Sequence, residues 1–505
     1  MSLKTFLAKY IAQWRVNQVQ RQLRKPVERQ QALLQKLVKK AANTSFGQEH
    51  SFAGIRSVKD FQASVPIREY EDFKPYFDRV EQGEKDVCWP GQPLYLAETS
   101  GTTAGAKKIP ISKDSMPNQV KGARDALLFY MHNSGNRSFL DGKMMFLSGS
   151  PIIRQNQAGI NVGRLSGIAN HYVPNYLQRN RVPDIETNSI QDWETKIAAI
   201  IEQVKDVDLR LISGIPPWVQ MFFERLEEKT GKQPGEIWPN LSVYVHGGVD
   251  YRPYREIFQQ VLGRSVDFVE VFPASEGFFA VQNEQDDDGL LLMLDYGIFF
   301  EFVPLEEYGK PNPTRLTLDQ VELEKNYALI VTTNAGLWAY SIGDTVRFTS
   351  LSPHKIRVSG RTKHFISAFG EHVIQEEVNN AMLAATQATG AQIIEFTVAP
   401  YISDSGSYHE WLVEFEKEPE DLAHFAQLLD EKMMKQNIFY EHLRSGNMLN
   451  RAQVTPLQRN ASRAFMESQG KLGGQNKFPR LANHRKIADF LQAYVKPNAT
   501  PTPND

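Results

Sequence analysis

Short apolar runs alternate with longer amphipathic patterns through much of the chain, and this alternation restricts the possible folds more than any other feature. The apolar runs have the length of strands, and the segments between them have helical periodicity. Strands that alternate with helices form a parallel sheet covered by helices, and ligands bind where loops leave the carboxyl ends of the strands. We therefore predict an α/β fold with a binding site at one edge of its sheet. The strand-like runs are 143–147, 209–212, 241–245 and 266–272, and two of the helical segments are 193–204 and 218–228.

The composition is that of an ordinary globular protein. Of 505 residues, 41% are hydrophobic, and 57 basic against 59 acidic residues give a net charge of −2. So small a net charge gives no field that favours nucleic acid or an acidic membrane, and no apolar run approaches the roughly 20 residues that span a bilayer. The single cysteine, Cys88, forms no internal disulfide and fits a reducing compartment. We predict a cytoplasmic monomer with neither nucleic acid nor membrane as a partner.

Residues 4–40 carry a helical pattern that is basic and amphipathic. Phe6, Tyr10, Ile11 and Trp14 recur at helical spacing among many Gln, Arg and Lys residues. Two interpretations are open: a helix on a membrane surface, or a solvated helix packed on its own domain. The second is favoured because the basic residues are scattered among glutamines and form no dense cationic face.

The run from Leu96 to Pro110 collects hydroxyls, glycines and two lysines in one loop between strand-like segments. Glycines let backbone N–H groups approach an oxyanion, hydroxyls donate hydrogen bonds, and a lysine supplies positive charge. The loop is not a Walker A motif, since Lys108 stands where that motif needs Ser or Thr. A solvated turn is the simpler alternative. The candidate phosphate ligands are Ser100, Gly101, Thr102, Thr103, Gly105 and either Lys107 or Lys108.

Residues 113–133 are predicted to form a helix in which Val120, Ala123, Leu127 and Met131 share one apolar face. Arg124 falls on the same face. A guanidinium inside an apolar stripe must be paired or must face a cavity, because burying an unpaired charge is very costly. Arg124 is therefore either part of a structural ion pair or a partner for an anionic substrate.

Three further segments carry polar groups at or beyond the predicted sheet edge. His246-Gly247-Gly248 follows the run 241–245, and Ala274-Ser275-Glu276 follows the run 266–272. Further on, Gly343-Asp344 precedes Gly360-Arg361, and on its own that first pair would favour a hairpin turn. An aromatic run at 171–176, which includes Tyr172, is interpreted as a pocket wall.

These segments occur in the order that is typical of adenylate-forming enzymes. Ser100-Gly101-Thr102-Thr103 comes first, Ala274-Ser275-Glu276 second, and Tyr340 to Asp344 with Arg361 third. The first motif and the ending Gln475-Asn476-Lys477-Phe478-Pro479-Arg480 resemble in particular the auxin-responsive Gretchen Hagen family of acyl-acid amido synthetases.

Two positions depart from the pattern of that family. Thr99 stands where a serine is usual, and Pro273-Ala274 stands where the family has an aromatic residue that stacks on the base. Phe272 and Phe278 are the candidates to supply that ring instead.

The resemblance covers about 46–491 and implies an α/β fold of the adenylate-forming, firefly-luciferase-like type. It implies a large N-terminal domain, 1–357, with parallel and mixed sheets, which binds ATP and the acyl acid. A hinge at 358–366 that includes Lys363 leads to a smaller, mobile α+β C-terminal domain at 367–495. Residues 496–505 are mostly Pro, Thr, Asn and Asp, and are predicted to be a disordered tail.

The resemblance also implies a two-step reaction that uses ATP and Mg²⁺. A carboxylic acid forms an acyl-adenylate and pyrophosphate, and an amino acid then takes the acyl group and releases AMP. An acyl-coenzyme A ligase of the same fold is the alternative. A catalytically silent nucleotide-binding protein is a third possibility, against which Lys477, Glu276 and Asp344 argue.

Residue roles follow from the resemblance position by position. The implied catalytic residues are Lys477, Glu276 and Thr103, and Glu276 also binds Mg²⁺. The implied nucleotide contacts are Ser100, Gly101, Thr102, Gly105, Lys107, Gly247, Gly248, Ala274, Ser275, Asp344 and Arg361. The implied contacts to the acid are Arg124, Tyr172, Ile215 and Trp338.

Overall fold

The structure is a computed structural model, and two compact units make up the chain. Unit 1 comprises Met1–Val249 and Gln259–Arg357, and unit 2 comprises Asp250–Phe258 and Val358–Asp505. The stretch 250–258 thus belongs with the C-terminal unit, whereas the sequence placed it in the N-terminal domain. The structure describes all residues except 1–2, 100–106, 149–150, 173–178, 191, 249–250, 286, 288, 363–364, 367, 369–370, 372, 404–405, 446–447, 472–476 and 498–505.

The helices lie mostly before the main strands and in unit 2, and among the described ones none is long and apolar enough to cross a membrane. The α-helices are α1 Leu3–Gln22, α2 Pro26–Ala41, α3 Ser45–Glu49, α4 Val58–Ser64, α5 Tyr70–Glu81, α6 Met116–Ser134, α7 Leu165–Asn170, α8 Ile185–Asn188, α9 Trp193–Val204, α10 Pro216–Thr230, α11 Pro234–Ile237, α12 Arg255–Leu262, α13 Gln375–Thr389, α14 Leu422–Gln436, α15 Ile438–Ser445, α16 Ala461–Ser468 and α17 Lys486–Leu491. Short 3₁₀ helices are Phe52–Gly54, Ser138–Asp141, Arg252–Tyr254, Leu305–Glu307 and Gln492–Tyr494.

The strands are short in the first half of the chain and longer in the second. They are β1 Tyr95–Glu98, β2 Lys108–Ile111, β3 Lys143–Phe146, β4 Arg154–Gln155, β5 Asn161–Gly163, β6 Arg181–Val182, β7 Leu209–Ser213, β8 Val243–Gly247, β9 Asp267–Ala274, β10 Gly277–Gln282, β11 Leu290–Leu292, β12 Ile298–Pro304, β13 Asn326–Thr333, β14 Tyr340–Leu351, β15 His354–Arg361, β16 Phe365–Ile366, β17 Val373–Ile374, β18 Gln392–Ser403, β19 Gly406–Lys417 and β20 Gln453–Leu457.

The main sheet has a parallel half and an antiparallel half. Within the described residues its order is β12-β13-β14-β15-β11-β10-β9-β8-β7-β3-β6. At one end of the sheet β6, β3, β7, β8 and β9 each run parallel to the next strand. In contrast, β9, β10 and β11 pair antiparallel in turn, as do β12, β13 and β14. The predicted parallel sheet is thus confirmed, and its four predicted strands differ from the observed ones by at most two residues at either end.

The N-terminal helical pattern forms two helices instead of one. Pro26 begins α2, as expected for a residue whose missing N–H has no helical partner at that position. α1 packs against α6 through small and branched side chains and through Arg15. The residues that drew attention in the sequence lie on the opposite face, because Phe6, Tyr10, Ile11 and Trp14 are all exposed.

The buried face of α6 differs from the predicted one. Ala123 and Arg124 are exposed, whereas the inner face includes Gln119, Gly122 and Asp125. The Arg124 side chain is 56% exposed and forms an ion pair with Asp125 at 3.0 Å. The expectation that Arg124 lies within a buried apolar stripe is therefore wrong. The apolar pattern predicted the wrong buried face because that face also contains the polar residues Gln119 and Asp125.

A second correction concerns Trp338, which lies in the core of unit 1. Its side chain is fully buried, its indole N–H donates to the carbonyl oxygen of Cys88 at 3.0 Å, and its ring packs on Phe52 with centroids 4.6 Å apart. A ring enclosed in this way has no surface to offer a substrate. The expected contact between Trp338 and the acid is not available in this structure.

Unit 2 is built around the antiparallel pair β18–β19, to which β20 adds a parallel strand. α13 and α14 contribute Val378, Met382, Phe425 and Leu429 to its core, which also contains Trp411. Strands that alternate with helices on an antiparallel sheet give the α+β architecture expected for the C-terminal region.

Candidate active site

The carboxyl ends of the parallel strands bring several predicted residues to one edge of the main sheet. β7 ends at Ser213, β8 at Gly247 and β9 at Ala274, and neighbouring parallel strands end on the same side. Ile215, which precedes the first turn of α10, and the segments at Gly247 and at Ser275 therefore all leave the sheet here. This edge is where the fold predicts a ligand.

The glycine pair at the end of β8 is required by the backbone. A Cβ atom on Gly247 would lie 2.3 Å from the carbonyl oxygen of Val271 in the neighbouring strand. Gly248 has φ of +78°, a conformation that other residues rarely adopt. The pair therefore closes the strand tightly and leaves a surface without side chains, as expected for a slot that accepts a flat ring.

Ser275 and Glu276 form the two-residue turn between β9 and β10. Gly277 pairs with Ala274 across this turn, and the Glu276 side chain is half-buried. The side-chain amide of Gln119 in α6 donates to the carbonyl oxygen of Ala274 at 2.9 Å. This contact fixes the end of β9. The backbone that carries Glu276 is therefore held by both α6 and β9 and does not lie in an unsupported loop.

Neither of the two phenylalanines expected to stack on a base is placed to do so. Phe272 is buried and packs on Phe279 with ring centroids 5.0 Å apart. Phe278 is buried against α6, where its ring leaves no space for a Cβ atom on Gly122. Both rings belong to the core, and the expectation that one of them replaces the missing aromatic residue is wrong.

The Gly343-Asp344 pair lies inside β14 and forms a bulge. On one side Ala328 pairs with Thr345, and on the other Ile330 pairs with Ser341, so a single residue of β13 opposes three of β14. Gly343 has φ of +82°. The hairpin-turn alternative is therefore wrong: a bulge turns side chains out of the ladder, and Asp344 is half-buried at this point.

The base of the predicted phosphate loop is a short antiparallel hairpin. Glu98 pairs with Lys108, and the backbone N–H of Thr99 donates to the carbonyl oxygen of Lys107 at 3.0 Å. Lys108 forms an ion pair with Glu81, whereas the ammonium of Lys107 lies 5.3 Å from the ring centroid of Tyr70. The charge of Lys108 is thus paired with a carboxylate at the base of the loop. Ser100, Gly101, Thr102, Thr103 and Gly105 lie outside the described residues.

Tyr172 lies beside the strand that leads into this loop. Its ring meets that of Tyr95 in β1 edge-on, with centroids 6.0 Å apart. Burial and then a hydrogen bond with Tyr95 raise the pKa of Tyr172 to about 12, so its hydroxyl is protonated at neutral pH. Tyr172 therefore offers a neutral hydrogen-bonding group.

Lys477 of unit 2 is exposed and stands three residues before a buried anchor. That anchor is Arg480, whose guanidinium bonds to Glu395 at 2.7 Å and to the hydroxyl of Tyr254 at 2.6 Å. The backbone N–H of Val398 donates to the carbonyl oxygen of Arg480 at 3.0 Å. The sequence motif drew attention to Lys477, but the anchoring role of Arg480 could not be read from it. Arg361 is exposed at the end of β15, and Lys363 lies outside the described residues.

Sequence reasoning also missed Lys196, a buried lysine of α9. Its ammonium donates to the carbonyl oxygens of Ser148 at 3.2 Å and of Asn188 at 2.8 Å. Ser148 follows β3, so the group lies near the same edge of the sheet. Burial, with a smaller effect of Arg164, lowers the pKa of Lys196 to about 8. A lysine beside Ile197 and Ile200 in an otherwise apolar helical face was the signal that could have revealed it.

Solved structures with the same architecture define the class of the fold. The GH3.15 acyl acid amido synthetase has a TM-score of 0.76 and 15% identity, with 94% of each chain covered. A 2-hydroxyisobutyryl-CoA ligase, solved in the postadenylation state with 2-HIB-AMP, has a TM-score of 0.60 and 14% identity, and covers 92% of this chain and 91% of its own. The fold is that of the adenylate-forming enzymes.

The family is defined by sequence. The GH3 family N-terminal domain matches 15–200, the central domain 291–361 and the C-terminal domain 376–486. The indole-3-acetic acid-amido synthetase GH3.3 of Arabidopsis thaliana is 20% identical over 549 residues, covering 92% of this chain and 91% of its own. The chain belongs to the GH3 family, which is the Gretchen Hagen family that its motifs resemble.

Proposed function

We propose that this chain is an ATP-dependent acyl-acid amido synthetase that joins a carboxylic acid to an amino acid. The observation that carries the proposal is that three successive domains of the GH3 family match, and that a curated relative covering nine-tenths of the chain is named an amido synthetase. Cytoplasmic location remains a prediction that rests on the composition and on the single cysteine.

The reaction has two halves whose atoms balance. In the first, a carboxylate oxygen attacks the α-phosphorus of ATP and the bond to the β-phosphate breaks, giving acyl-adenylate and pyrophosphate. In the second, the amino nitrogen attacks the acyl carbon and loses a proton, the amide bond forms, and AMP leaves. The phosphate converts a poor leaving group into a good one, so the protein's task is to position the reactants and to stabilise charge.

Residues of unit 1 would hold the nucleotide. Gly247, Gly248, Ala274 and Ser275 supply the slot for the base, and Asp344 would accept hydrogen bonds from the ribose hydroxyls, a use suited to a carboxylate. Ser100, Gly101, Thr102, Thr103 and Gly105 remain the predicted phosphate contacts, with Lys107 as the cation. Arg361, at the end of β15, also remains a predicted nucleotide contact.

The residues at the turn fit a magnesium ion bound together with a nucleotide. The described residues contain no group of three or more His, Cys, Asp or Glu side chains that could hold a metal by themselves. Mg²⁺ is usually held by one or two carboxylates, with phosphates and water completing its shell. Glu276, half-buried in a turn fixed at Ala274, suits that arrangement. When bound, the ion would offset the charge of the phosphates.

Lys477 would neutralise the carboxylate and the α-phosphate as their oxygens approach. The Lys477 side chain is exposed on a segment that Arg480 anchors, which suits a group that moves to meet the substrate. We propose that movement of the C-terminal region about the segment containing Lys363 delivers Lys477 and later reshapes the site for the amine.

The acid would be bound by Tyr172 and Ile215, and its charge would be met by Arg124, whose exposed guanidinium also contacts Asp125. The neutral hydroxyl of Tyr172 donates to a carboxylate or accepts from a substrate group without adding charge.

The proposal is tested in two stages. ATP–pyrophosphate exchange over a panel of carboxylic acids identifies acids that form an adenylate. Mass spectrometry with such an acid, Mg²⁺ and either an amino-acid mixture or coenzyme A then identifies the acceptor. We expect an amide and AMP, with little thioester. Rapid thioester formation with no amide from any amino acid would instead assign the chain to the acyl-coenzyme A ligases.

A further inference from the structure

The orientation of α1 on unit 1 is set by a buried ion pair. The guanidinium of Arg15 lies 2.6 Å from the carboxylate of Asp125 and 3.0 Å from that of Asp295, and Arg15 and Asp125 are almost completely buried. Ala8, Ala12, Val16 and Val19 complete this inner face and join the core around α6. Rotating the helix would leave a buried charge unpaired, so its outer face is fixed as well.

The outer face of α1 is strongly apolar. Five large side chains there are at least half exposed, and they make up five of the twelve exposed large hydrophobic residues in the described part of the chain. At 100° per residue they fall in two adjacent rows, one at positions 6, 10 and 14 and one at 7 and 11, which span about 140° of the helix. An exposed apolar patch of this kind marks an interaction site. The five are Phe6 at 50%, Leu7 at 50%, Tyr10 at 57%, Ile11 at 53% and Trp14 at 64% exposure.

The charge around this stripe has one sign. No acidic residue occurs before Glu28, whereas the first 27 residues include six basic ones: Lys4, Lys9, Arg15, Arg21, Arg24 and Lys25. Arg15 is used in the buried ion pair with Asp125 and Asp295, and Lys25 forms an exposed ion pair with Glu28 at 3.1 Å. A chain with a net charge of −2 therefore presents a local surface that is apolar and positive.

An open groove of about 440 Å³ continues the stripe toward α2. Trp14, Arg21 and Arg29 line it, with Asn17, Gln18 and Gln22 between them. Among the residues that the structure describes, neither Arg21 nor Arg29 has a carboxylate within 4 Å. Two uncompensated guanidinium groups beside an exposed indole suit a phosphate group.

We propose that α1 binds the interface of an anionic phospholipid bilayer. The stripe from Phe6 to Trp14 enters the boundary between headgroups and acyl chains, and Arg21 and Arg29 bind lipid phosphates. Trp and Tyr favour this boundary because their rings are apolar with one polar group, and basic residues add attraction to anionic lipid. This proposal departs from the sequence-based expectation that the chain has no membrane partner.

A second copy of the chain is a poorer occupant of this surface. A two-fold contact between two α1 helices would place one basic surface against another, and like charges at an interface oppose association. An anionic lipid surface instead complements both properties of the helix.

The test is flotation of the full chain with vesicles of phosphatidylcholine alone or with about one third phosphatidylglycerol. We expect the wild type to float with the anionic vesicles and to be released by high salt. Ile11→Ser/Trp14→Ser should weaken partitioning at least tenfold, and Arg21→Gln/Arg29→Gln should weaken it only on anionic vesicles. The matched control, Ile185→Ser/Leu323→Ser, removes two equally exposed apolar residues and should bind like the wild type.

Thermal unfolding of each variant is measured in parallel, and unchanged midpoints confirm that the substitutions act on the surface alone. Wild-type protein that does not float with anionic vesicles would overturn the proposal, as would equal flotation of Ile11→Ser/Trp14→Ser. A wild-type dimer in analytical ultracentrifugation that Ile11→Ser/Trp14→Ser dissociates would assign the stripe to a second copy and would equally overturn it.

Discussion

At the residue scale, the position of Asp344 is owed to the bulge in β14. Because one residue of β13 opposes three of β14, the carboxylate is turned out of the ladder without breaking the strand. Its neighbour Gly343 takes a positive φ that makes this possible. The chemistry proposed for Asp344 thus depends on a local irregularity that the sequence signalled only through the glycine.

Replacing Asp344 by Ala should weaken AMP and ATP binding about 10- to 100-fold, since a hydrogen bond to a charged group contributes about 1.5–3 kcal/mol. Isothermal titration with AMP measures this directly. Asp344→Asn keeps the shape but not the charge and should show an intermediate loss. Equal AMP affinity in Asp344→Ala and wild type would reject the assignment to the ribose.

Lys477→Ala should slow adenylation about 100-fold or more while ATP affinity changes little, because the charge is needed mainly as the oxygens meet in the transition state. Pyrophosphate exchange and ATP titration separate the two effects. Lys486, exposed at the start of α17, provides the matched control, and Lys486→Ala should exchange at the wild-type rate. Normal exchange in Lys477→Ala would remove this lysine from the mechanism.

The residues that the sequence placed wrongly share one cause. An aromatic or charged side chain was assigned to the site from its position near a motif, and nothing in the sequence tells which way a side chain points. Trp338 is enclosed by the core, and Arg124 faces outward because Asp125, not the apolar residues predicted, turns inward. Gly247 and Glu276, in contrast, lie at the carboxyl ends of β8 and β9, where the strand pattern predicted them.

At the scale of elements, α6 and β10 approach closely at one point. A Cβ atom on Gly122 would lie 2.3 Å from the ring of Phe278, which is buried. Gly122→Ala should therefore destabilise the protein by about 1–3 kcal/mol, although alanine is otherwise the better helix former.

Urea unfolding compares Gly122→Ala with Gly54→Ala, where a Cβ atom meets nothing within 4 Å. The control should be neutral within about 0.5 kcal/mol. If Gly122→Ala proved as stable as the wild type, the packing of α6 on Phe278 would have to be looser than described.

The first turn of α13 should make stability depend on pH. Glu377 accepts hydrogen bonds from the backbone N–H of Ile374 at 2.9 Å and from Asn437 at 3.0 Å, and burial raises the pKa of Glu377 to about 7 from its ordinary 4.5. Between these values the unfolded chain has lost the proton that the folded chain keeps. Stability therefore falls as pH rises from 4.5 to 7.

Because the Glu377 side chain is only half-buried, we expect its contribution to this fall to be about 1–2 kcal/mol. Glu377→Gln retains an acceptor but does not titrate, so the free energy of unfolding of the wild type minus that of Glu377→Gln isolates the effect. A difference that stays constant from pH 4.5 to 7 would contradict it.

The elements that sequence predicted well are those with a simple period. The parallel strands are continuous apolar runs and were found within two residues, whereas the break between α1 and α2 was missed despite Pro26. The pairing direction of β10 to β14 could not be derived, because it is decided by contacts between strands that are distant in sequence.

At the scale of the whole molecule, unit 2 is assembled from two separate stretches of chain. Tyr254, from the short stretch 250–258, accepts a hydrogen bond from the buried guanidinium of Arg480 at 2.6 Å. Such a unit could not be predicted from sequence patterns, since the second half of the main sheet separates 250–258 from 358–505.

Tyr254→Phe should cost about 1–3 kcal/mol, because it leaves a buried donor of Arg480 without its acceptor. Tyr401→Phe is the control: it removes a hydroxyl of the same unit for which the described residues provide no hydrogen bond, so it should be nearly neutral. Denaturant unfolding of both variants measures the difference, and equal stabilities would show that the Tyr254 hydroxyl contributes nothing to unit 2.

Cys88 is enclosed next to Trp338, so its reaction with a thiol reagent can report local opening of the core. The thiol is buried, and burial raises its pKa, so both the thiolate and the path for a reagent are suppressed in the native state. A thiol-specific label added to the native chain can react only while this part of the core is transiently open. At low reagent concentration the labelling rate reports the free energy of that opening, and at high concentration it reports the opening rate. Local opening of unit 1 can therefore be timed without introducing any probe.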